Sequence, residues 1–392
     1  MPTHRPIRLP RAVIALGLVS LFTDLSSEMI VPLLPVFLTT TLGASATFFG
    51  LVEGIAEAVA SLLKLISGAW SDRLGKRFPL VLFGYSLSAI MRPMMALCTA
   101  PWHALVVRSS DRIGKGLRSA PRDALLTAAT PPEIRGWAFG FHRAMDHTGA
   151  LLGAAAAWLL LTWGFQTRQV FVIAAVPGIF AVLTILFGVK EEREAEAAAS
   201  AKSLRFTWRD QPRSLKRYLL VLAVFTLANS SDTFLLLKAH DVGIPVALAP
   251  LLWIVLHITK AATNLAGGRL SDKIGPRPVI RAGWLVYGLV YVLFGWSNQP
   301  WHVWALFTLY GLYHGLTEGA EKALVAGYAE PRRKGEAFGL YHAMTGVLAL
   351  PASLLMGIVW DRLGSRTAFL MCGGMAMTAV LLLHMVVRDK RK

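Results

Sequence analysis

The chain alternates long apolar stretches with short polar segments. The apolar stretches are roughly 20 residues long, enough to cross a hydrocarbon core of ~30 Å as α-helices. They exceed the length of barrel strands and have no period of two, so they predict helices. The predicted fold class is an all-α membrane protein with twelve transmembrane helices. These lie at residues 12–39, 46–70, 78–99, 102–127, 137–163, 169–189, 217–240, 246–270, 278–297, 301–326, 336–360 and 367–387.

One polar stretch is much longer than the others. Residues 190–216 are rich in charge, Ala and Ser, with Pro212 near the end, which is typical of a partly helical cytoplasmic linker. The linker divides the chain into an N-terminal six-helix bundle at 1–189 and a C-terminal six-helix bundle at 217–392.

The first apolar run resembles a signal peptide at its basic start, which holds Arg5, Arg8 and Arg11. However, Asp24 and Glu28 interrupt the run, and no small-residue cleavage site follows. We therefore expect this segment to remain attached as the first spanning helix.

Three segments of the first half recur in the second at offsets between 199 and 204 residues. Gly68-Ala-Trp-Ser-Asp72-Arg73-Leu-Gly75-Lys-Arg77 returns as Gly268-Arg-Leu-Ser-Asp272-Lys-Ile-Gly275-Pro-Arg277. Residues 135–145 return at 334–344, and Ser26-Ser27-Glu28 returns as Ser230-Ser231-Asp232. Collinear matches at nearly one offset indicate internal duplication, which is common in membrane transporters.

Composition and charge agree with a membrane protein. Hydrophobic residues make up 55% of the chain and charged residues 16%, and the net charge is +17. Lys and Arg concentrate in alternate connections, which predicts a multi-pass protein of the inner or plasma membrane with both termini in the cytoplasm. The excess charge suits anionic lipid of the bilayer and requires no nucleic acid.

Several other classes of site are not indicated. The two cysteines, Cys98 and Cys372, lie in apolar segments, so neither a disulfide framework nor a metal cluster is predicted. No His-Glu-x-x-His, Cys-x-x-Cys or ATP-binding Gly-x-x-x-x-Gly-Lys-Ser/Thr motif occurs, so no cofactor is expected. An ion gradient or the gradient of the solute must then supply the energy for transport.

The twelve helices in two repeats, the long central loop and the Gly-x-x-x-Asp-Arg-x-Gly-Lys-Arg signature between helices two and three together resemble the major facilitator superfamily. The resemblance implies two pseudo-symmetric six-helix bundles around a cavity that opens alternately to each side, and a chain that functions as a monomer. More narrowly, the Asp-Arg-x-Gly-Lys-Gly-x-Arg-x-x-Pro-Arg-Asp-Ala segment at 111–124 resembles a bacterial branch of that superfamily. The antiporter signature of the family, a Gly-Pro pair on helix five, is absent, which weighs against proton/drug antiport.

The resemblance also implies a cytoplasmic gate. In the family, the signature acid pairs with an arginine at the end of helix four and caps the N-terminus of helix eleven. The gating residues implied in this chain are Asp72, Arg73, Arg77, Arg122, Asp123 and Asp272. The alternative is that these charges only determine topology.

Ionisable residues deep in the apolar stretches are the candidates for transport chemistry. Each costs about 2.5–3.5 kcal/mol at a helix centre on insertion scales, so a cluster at one depth needs a reason. A carboxylate in a poorly hydrated cavity can load and release a proton as access alternates. The candidates for proton coupling are Asp24, Glu28, Glu57 and Asp232. The alternative for each is a buried ion pair.

Helix four carries a charged stripe. Asp111, Lys115, Arg118 and Arg122 are spaced by four, three and four residues and share one helical face, which must contact protein or water. Lys115 and Arg118 are predicted to bind an anionic group of the substrate; interhelical salt bridges are the equal alternative. The candidate substrate-binding residues are Lys115, Arg118, Asp111, His314, Glu318 and Lys260. His257 and His314 are candidates for a proton relay, with ordinary packing as the alternative.

These patterns predict a secondary active transporter of a small organic solute, preferably one with an anionic group, coupled to protons and working by alternating access. Efflux of drug-like or metal-chelate compounds is the second hypothesis. A membrane-embedded enzyme is a third, which the duplicated gate motif disfavours.

Overall fold

The computed structural model describes residues 9–74, 76–131, 134–189, 208–330 and 333–387, and every regular element in these ranges is helical. Eight helical segments in them are long and apolar enough to cross a membrane. The all-α prediction is therefore confirmed for the described residues. We number the helices by the predicted spans. They are α1 (Arg11–Glu28), α2 (Ala46–Leu74), α3 (Phe78–Met94), α4 (Pro101–Ala128), α5 (Arg135–Thr162), α6a (Thr167–Ile173), α6b (Ala175–Gly188), α7a (Arg213–Ala228), α7b (Thr233–Asp241), α8 (Ala249–Ile274), α9 (Pro276–Trp296) and α10 (Pro300–Tyr328).

The last helical segment, Lys334–Val386, contains one non-helical residue, Gly364. Gly364 has a φ of 84°, a conformation that residues with a Cβ rarely adopt, and it divides the segment into α11 (334–363) and α12 (365–386). Three helices at predicted spans, α2, α4 and α10, are not among the eight apolar ones. In α4 the reason is its charged stripe.

The predicted spans at 12–39 and 217–240 correspond to apolar helical segments at Arg11–Thr41 and Arg213–Asp241, but neither is a regular α-helix throughout. The first span leaves regular α-helix after Glu28 and continues to Thr41 through short 3₁₀, α and π turns, with Pro32 and Pro35 in this part. The seventh span is interrupted between Ala228 and Thr233. Both breaks fall at the duplicated Ser-Ser-acid segment, which hydropathy alone does not distinguish from continuous helix.

The described residues form two compact units. The first holds those up to Val31 and those between Leu62 and Ser203; the second holds Pro32–Ser61 and those from Leu204 onward. Residues 32–61, which the sequence analysis assigns to the N-terminal bundle, thus associate with the second unit. Most of the expected linker, residues 190–207, lies outside the described ranges, and its last four residues begin α7a.

In the first unit, α1 packs closely on α5. A Cβ added at Gly149 or Gly153 of α5 would lie 2.3 or 2.4 Å from the carbonyl oxygen of Leu21 or Leu25. Only glycine permits this approach, and it explains the small residues at these positions. Beside this seam, buried aliphatic side chains of α1, α3, α4 and α6b form a shared core.

The second unit has an aromatic core. The rings of Phe225 on α7a and Trp284 on α9 are stacked with centroids 4.2 Å apart, and Tyr287 meets Phe225 edge-on at 5.1 Å. Tyr291 and Tyr310 continue the cluster toward the break in the seventh span. The fully buried rings hold α7a, α9 and α10 together around that break.

Candidate functional site

The break between α7a and α7b places polar backbone inside a predicted span. Side chains satisfy part of it: the Tyr287 hydroxyl donates to the carbonyl of Ala228 at 2.8 Å, and the amide of Ser231 donates to Ser353 Oγ at 3.2 Å. Non-helical backbone at membrane depth is tolerated only where protein or water replaces the lost bonds. In transporters such discontinuous helices form binding sites for solutes and ions.

Asp232 lies at the end of this break and is the centre of a polar cluster. Tyr310 donates to its Oδ1 at 2.7 Å, and Lys260 Nζ donates to its Oδ2 at 3.3 Å. His314 Nε2 also lies 3.3 Å from Oδ2. We call these four residues the Asp232 cluster. Its three charged or titratable side chains are each about a quarter exposed, at 23 to 24%.

The Asp232 cluster brings together three residues that the sequence singles out, one for proton coupling and two for substrate binding. It also contains Tyr310, which the sequence analysis missed. The available signal was its position one turn before His314, on the same face of α10. Glu318, a fourth candidate, accepts a hydrogen bond from Lys322 at 3.3 Å one turn further along the helix.

A second acid, Glu53 on α2, lies next to the cluster. Ser231 Oγ donates to Glu53 Oε2 at 3.3 Å, and Glu53 is buried. The predicted proton-coupling residue Glu57, one turn later, is exposed. Both acids follow the same apolar pattern, so only the direction in which α2 packs distinguishes them.

Glu321 on α10 is a buried acid that the sequence analysis also missed. Trp284 Nε1 donates to one of its oxygens and the Tyr341 hydroxyl to the other, each at 2.9 Å. Glu321 lies near the end of the predicted span 301–326, where an ionisable residue is not unusual. Two neutral donors satisfy this carboxylate.

In the first unit, the charged stripe of α4 contacts α3. Arg92 Nε donates to Asp111 Oδ1 at 3.1 Å, and its Nη1 donates to the carbonyl of Thr23 at 2.7 Å. Arg108 lies 3.9 Å from the other oxygen of Asp111. Arg92, Arg108 and Asp111 are all less than 8% exposed. They line a small open pocket together with Ser27, Ile30, Met95 and Val107.

Arg118 is equally buried. Its Nη1 donates to the Gly84 carbonyl at 3.2 Å and to Ser88 Oγ at 2.5 Å, and its guanidinium lies 4.5 Å from the centre of the Tyr85 ring. Arg118 is therefore engaged with α3 in this structure, whereas Lys115 on the same helix is exposed. Asp111 and Arg118 of the stripe face protein and Lys115 is exposed, in agreement with the prediction that this face contacts protein or water; the nearest cationic partner of Asp111 is Arg92 of α3.

Asp24 and Glu28 are half-buried one turn apart on α1. Asp24 lies within electrostatic range of Asp146 and Lys115. Asp146 in turn accepts a hydrogen bond from Ser20 and lies 3.6 Å from His142 Nδ1. The candidate acids of the first half therefore share their surroundings with other ionisable groups.

The candidate gating residues are only partly described. Asp72 and Arg73 are in the last turn of α2, but their side chains lie outside the described part of the structure, as does Gly75. Arg77 is half-buried immediately before α3, and Asp272 is exposed in the last turn of α8. Arg122 donates twice to Asp123, at 3.0 and 2.7 Å, so these two neighbours pair with each other.

Among the described residues, no group of three or more His, Cys, Asp or Glu side chains is arranged to hold a metal ion. What the described geometry brings together within the spans is a set of ionisable side chains of both signs.

Comparison with known proteins agrees with this architecture. The family model of the Major Facilitator Superfamily matches residues 16–256 and 233–392. An uncharacterised MFS-type transporter of Methanocaldococcus jannaschii is 33% identical, with 96% of this chain and 94% of that protein covered. The multidrug resistance protein MdtG of Citrobacter koseri is 24% identical, with 96% and 95% covered.

Among solved structures, the nucleoside transporter NupG matches 97% of this chain and 100% of its own, with a TM-score of 0.80 and 16% identity. This likeness establishes the fold. The resemblance to the superfamily is confirmed, while the narrower branch suggested by the helix-four motif stays a prediction. By its family match over both halves and its full-length relatives, the chain belongs to the Major Facilitator Superfamily of membrane transporters.

Proposed function

We propose that the protein is a proton-coupled secondary active transporter that moves a small organic solute with an anionic group across the inner or plasma membrane. The observation that carries this proposal is the Asp232 cluster, in which one carboxylate holds Lys260 and His314 beside a broken helix. Ionisable side chains are costly at membrane depth, so their presence in a cluster favours a role in binding or coupling. The same proposal includes three earlier predictions. The chain forms two bundles, at 1–189 and 217–392, joined by a linker at 190–216. Both termini are cytoplasmic, and the functional unit is a monomer.

The cluster suggests how a proton and an anion bind together. While Asp232 is ionised, Lys260 is neutralised by it. When Asp232 takes up a proton, the positive charge of Lys260 and the donor capacity of His314 become available to an anionic group of the solute. Loss of the proton restores the Asp232–Lys260 pair and expels the anion. The partial exposure of these side chains supports access of both ligands.

In the first unit, the charged stripe of α4 is a separate candidate for binding an anionic group. Lys115 is exposed on α4, whereas Arg118 is buried against α3 and Arg122 pairs with Asp123. We propose that Lys115 is the residue of the charged stripe that binds the solute, and that Arg118 holds α4 against α3. Because Lys presents a compact charge, it suits carboxylates and phosphates without demanding one geometry.

The experiment is flux into liposomes that contain the purified chain. Small organic anions are first screened for thermal stabilisation, and those that bind are tested for uptake with and without an inward proton gradient. Uptake should rise with the gradient and collapse with an uncoupler. Asp232→Asn should abolish the response to the gradient yet retain exchange of labelled for unlabelled solute. Uptake of neutral solutes alone, or uptake indifferent to pH, would contradict the proposal.

Efflux of drug-like compounds is a second candidate, favoured by the likeness to MdtG, a multidrug resistance protein. The absence of a Gly-Pro pair in Gly149-Ala-Leu-Leu-Gly153 on α5 weighs against it. Drug accumulation in cells with and without the chain distinguishes efflux from uptake of an anion. Since the family and the relatives named above are transporters, transport rather than membrane-embedded catalysis is the function to test first.

A further inference from the structure

A third copy of the duplicated signature lies between α11 and α12. Six residues of the Gly68–Arg77 segment recur there at identical spacing. They are Gly357, Asp361, Arg362, Leu363, Gly364 and Arg366. The first two copies are predicted on the cytoplasmic face, whereas the connection between the last two helices is predicted on the opposite face. The chain therefore carries the signature on both sides of the membrane.

The backbone shows that the third copy is structurally equivalent to the second. Gly364 has φ 84° and ψ 161°, and Gly275 of the second copy has φ 87° and ψ 156°. A helix begins immediately after each glycine. Because residues with a Cβ rarely adopt a φ in this range, the shared glycine marks the same turn in both places.

Asp361 binds the N-terminus of another helix. Its Oδ1 accepts a hydrogen bond from the amide of Ala46 at 2.9 Å, and its Oδ2 accepts one from the amide of Thr47 at 2.7 Å. These are the first two residues of α2, whose amides have no partner within their own helix. A carboxylate at a helix N-terminus also interacts favourably with the helix dipole.

Two further contacts join the same connection to neighbouring helices. A Cβ at Gly357 would lie 2.3 Å from the carbonyl oxygen of Ala46, so α11 meets the start of α2 at a glycine. Ser365 accepts a hydrogen bond from Lys238 of α7b at 3.4 Å. Polar contacts across a glycine seam separate at lower cost than a large apolar interface, since water replaces their partners.

We propose that Asp361 is a latch that holds α2 against α11 at the face opposite the cytoplasm in one state of the transport cycle and releases it in the other. The latch is the counterpart, on that face, of the gate that the resemblance implies for Asp72. It depends on the alternating access typical of the family and on neither the substrate nor the coupling ion. Its test therefore succeeds or fails independently of the proposed function.

The test measures a distance across this end of the second unit in full-length protein in liposomes. Spin labels are placed at Thr41, which precedes α2, and at Gln299, between α9 and α10; both residues are exposed. The buried Cys98 and Cys372 are replaced by alanine. Asp361→Asn should raise the ratio of long to short distances about two- to five-fold, the range expected for loss of a negative charge at a helix N-terminus.

Asp241→Asn is the control, because Asp241 is an exposed acid at the end of α7b whose electrostatic neighbours are Lys238 and His240. It should leave the distance distribution unchanged. Asp361→Glu keeps the charge and should give a smaller shift, and it replaces the asparagine variant if that one does not fold. An unchanged distribution in both Asp361 variants, or an equal shift in Asp241→Asn, would overturn the latch.

Discussion

Tyr310 donates a 2.7 Å hydrogen bond to Oδ1 of Asp232, while Lys260 and His314 both approach Oδ2. The two carboxylate oxygens thus have different partners, one a neutral hydroxyl and the other a cation and an imidazole. The hydrogen bond from Tyr310 fixes the rotation of the carboxylate. Oδ2 therefore faces Lys260 and His314, the two side chains that are proposed to bind the solute anion when Asp232 is protonated.

Tyr310→Phe should slow gradient-driven uptake about tenfold, because removal of a hydrogen bond to a charged group costs about 1.5–3 kcal/mol and frees the carboxylate to rotate. The measurement is initial uptake into liposomes at a fixed pH gradient. Tyr313→Phe makes the same change on α10, but the Tyr313 hydroxyl accepts from Asn229 and does not contact Asp232 in the described structure. Similar losses in the two variants would remove the positioning role of Tyr310.

Lys260→Gln should weaken binding of an anionic solute at least tenfold, since it deletes the charge that the solute is proposed to use. The measurement is solute affinity from thermal stabilisation or calorimetry. Lys322→Gln is the control, because Lys322 forms a part-exposed pair with Glu318 that is worth about 1 kcal/mol or less. If Lys260→Gln lowers stability but leaves solute affinity unchanged, Lys260 has only a structural role.

The Asp232 cluster illustrates what could be predicted from the sequence. Asp232 is an acid in an apolar span, at the position that corresponds to Glu28 in the first half. An acid at such a position indicates a role beyond packing. Tyr310 gives no such signal, because tyrosine is common in spans. The break at 229–232 falls in a run of five polar residues, Asn229 to Thr233, but the apolar residues on either side keep the mean hydropathy of the span high, so the segment is predicted as one span.

Helical periodicity likewise gives the face of a residue but not its partner. The spacing on α4 predicts that Asp111 and Arg118 contact protein or water, and the structure buries both in protein. That Arg92 pairs with Asp111 depends on the relative depth of α3 and α4, which a glycine contact sets and no local pattern reveals. For the same reason, periodicity does not show that Glu53 is buried and Glu57 is exposed on α2.

Arg92→Met should destabilise the protein by about 3–5 kcal/mol, because it deletes the nearest partner of the buried Asp111 carboxylate. Arg108, 3.9 Å away, compensates only in part. The measurement is thermal unfolding in detergent. The double variant Arg92→Met with Asp111→Leu should recover much of the loss, since it removes both charges. Lys115→Ala, at an exposed position of α4, should leave stability nearly unchanged.

Gly114→Ala tests the contact that sets the register of α3 and α4. A Cβ at Gly114 would lie 2.6 Å from the carbonyl oxygen of Gly84 and 2.8 Å from Ser88 Oγ, and the backbone carbonyl cannot move aside. The two helices must separate, which would disturb the Arg118 bonds to the same two residues. We expect a loss of about 1–3 kcal/mol, the usual cost of overpacking, measured by thermal unfolding.

Gly140→Ala is the matched control for this substitution. Gly140 is in α5, and an added Cβ would meet nothing within 4 Å, so the variant should be neutral or more stable by up to about 1 kcal/mol through its higher helix propensity. Because both changes add one methyl group to a helical glycine, their difference isolates the contact between α3 and α4. Equal stability of the two variants would mean that this contact does not hold the charged stripe in place.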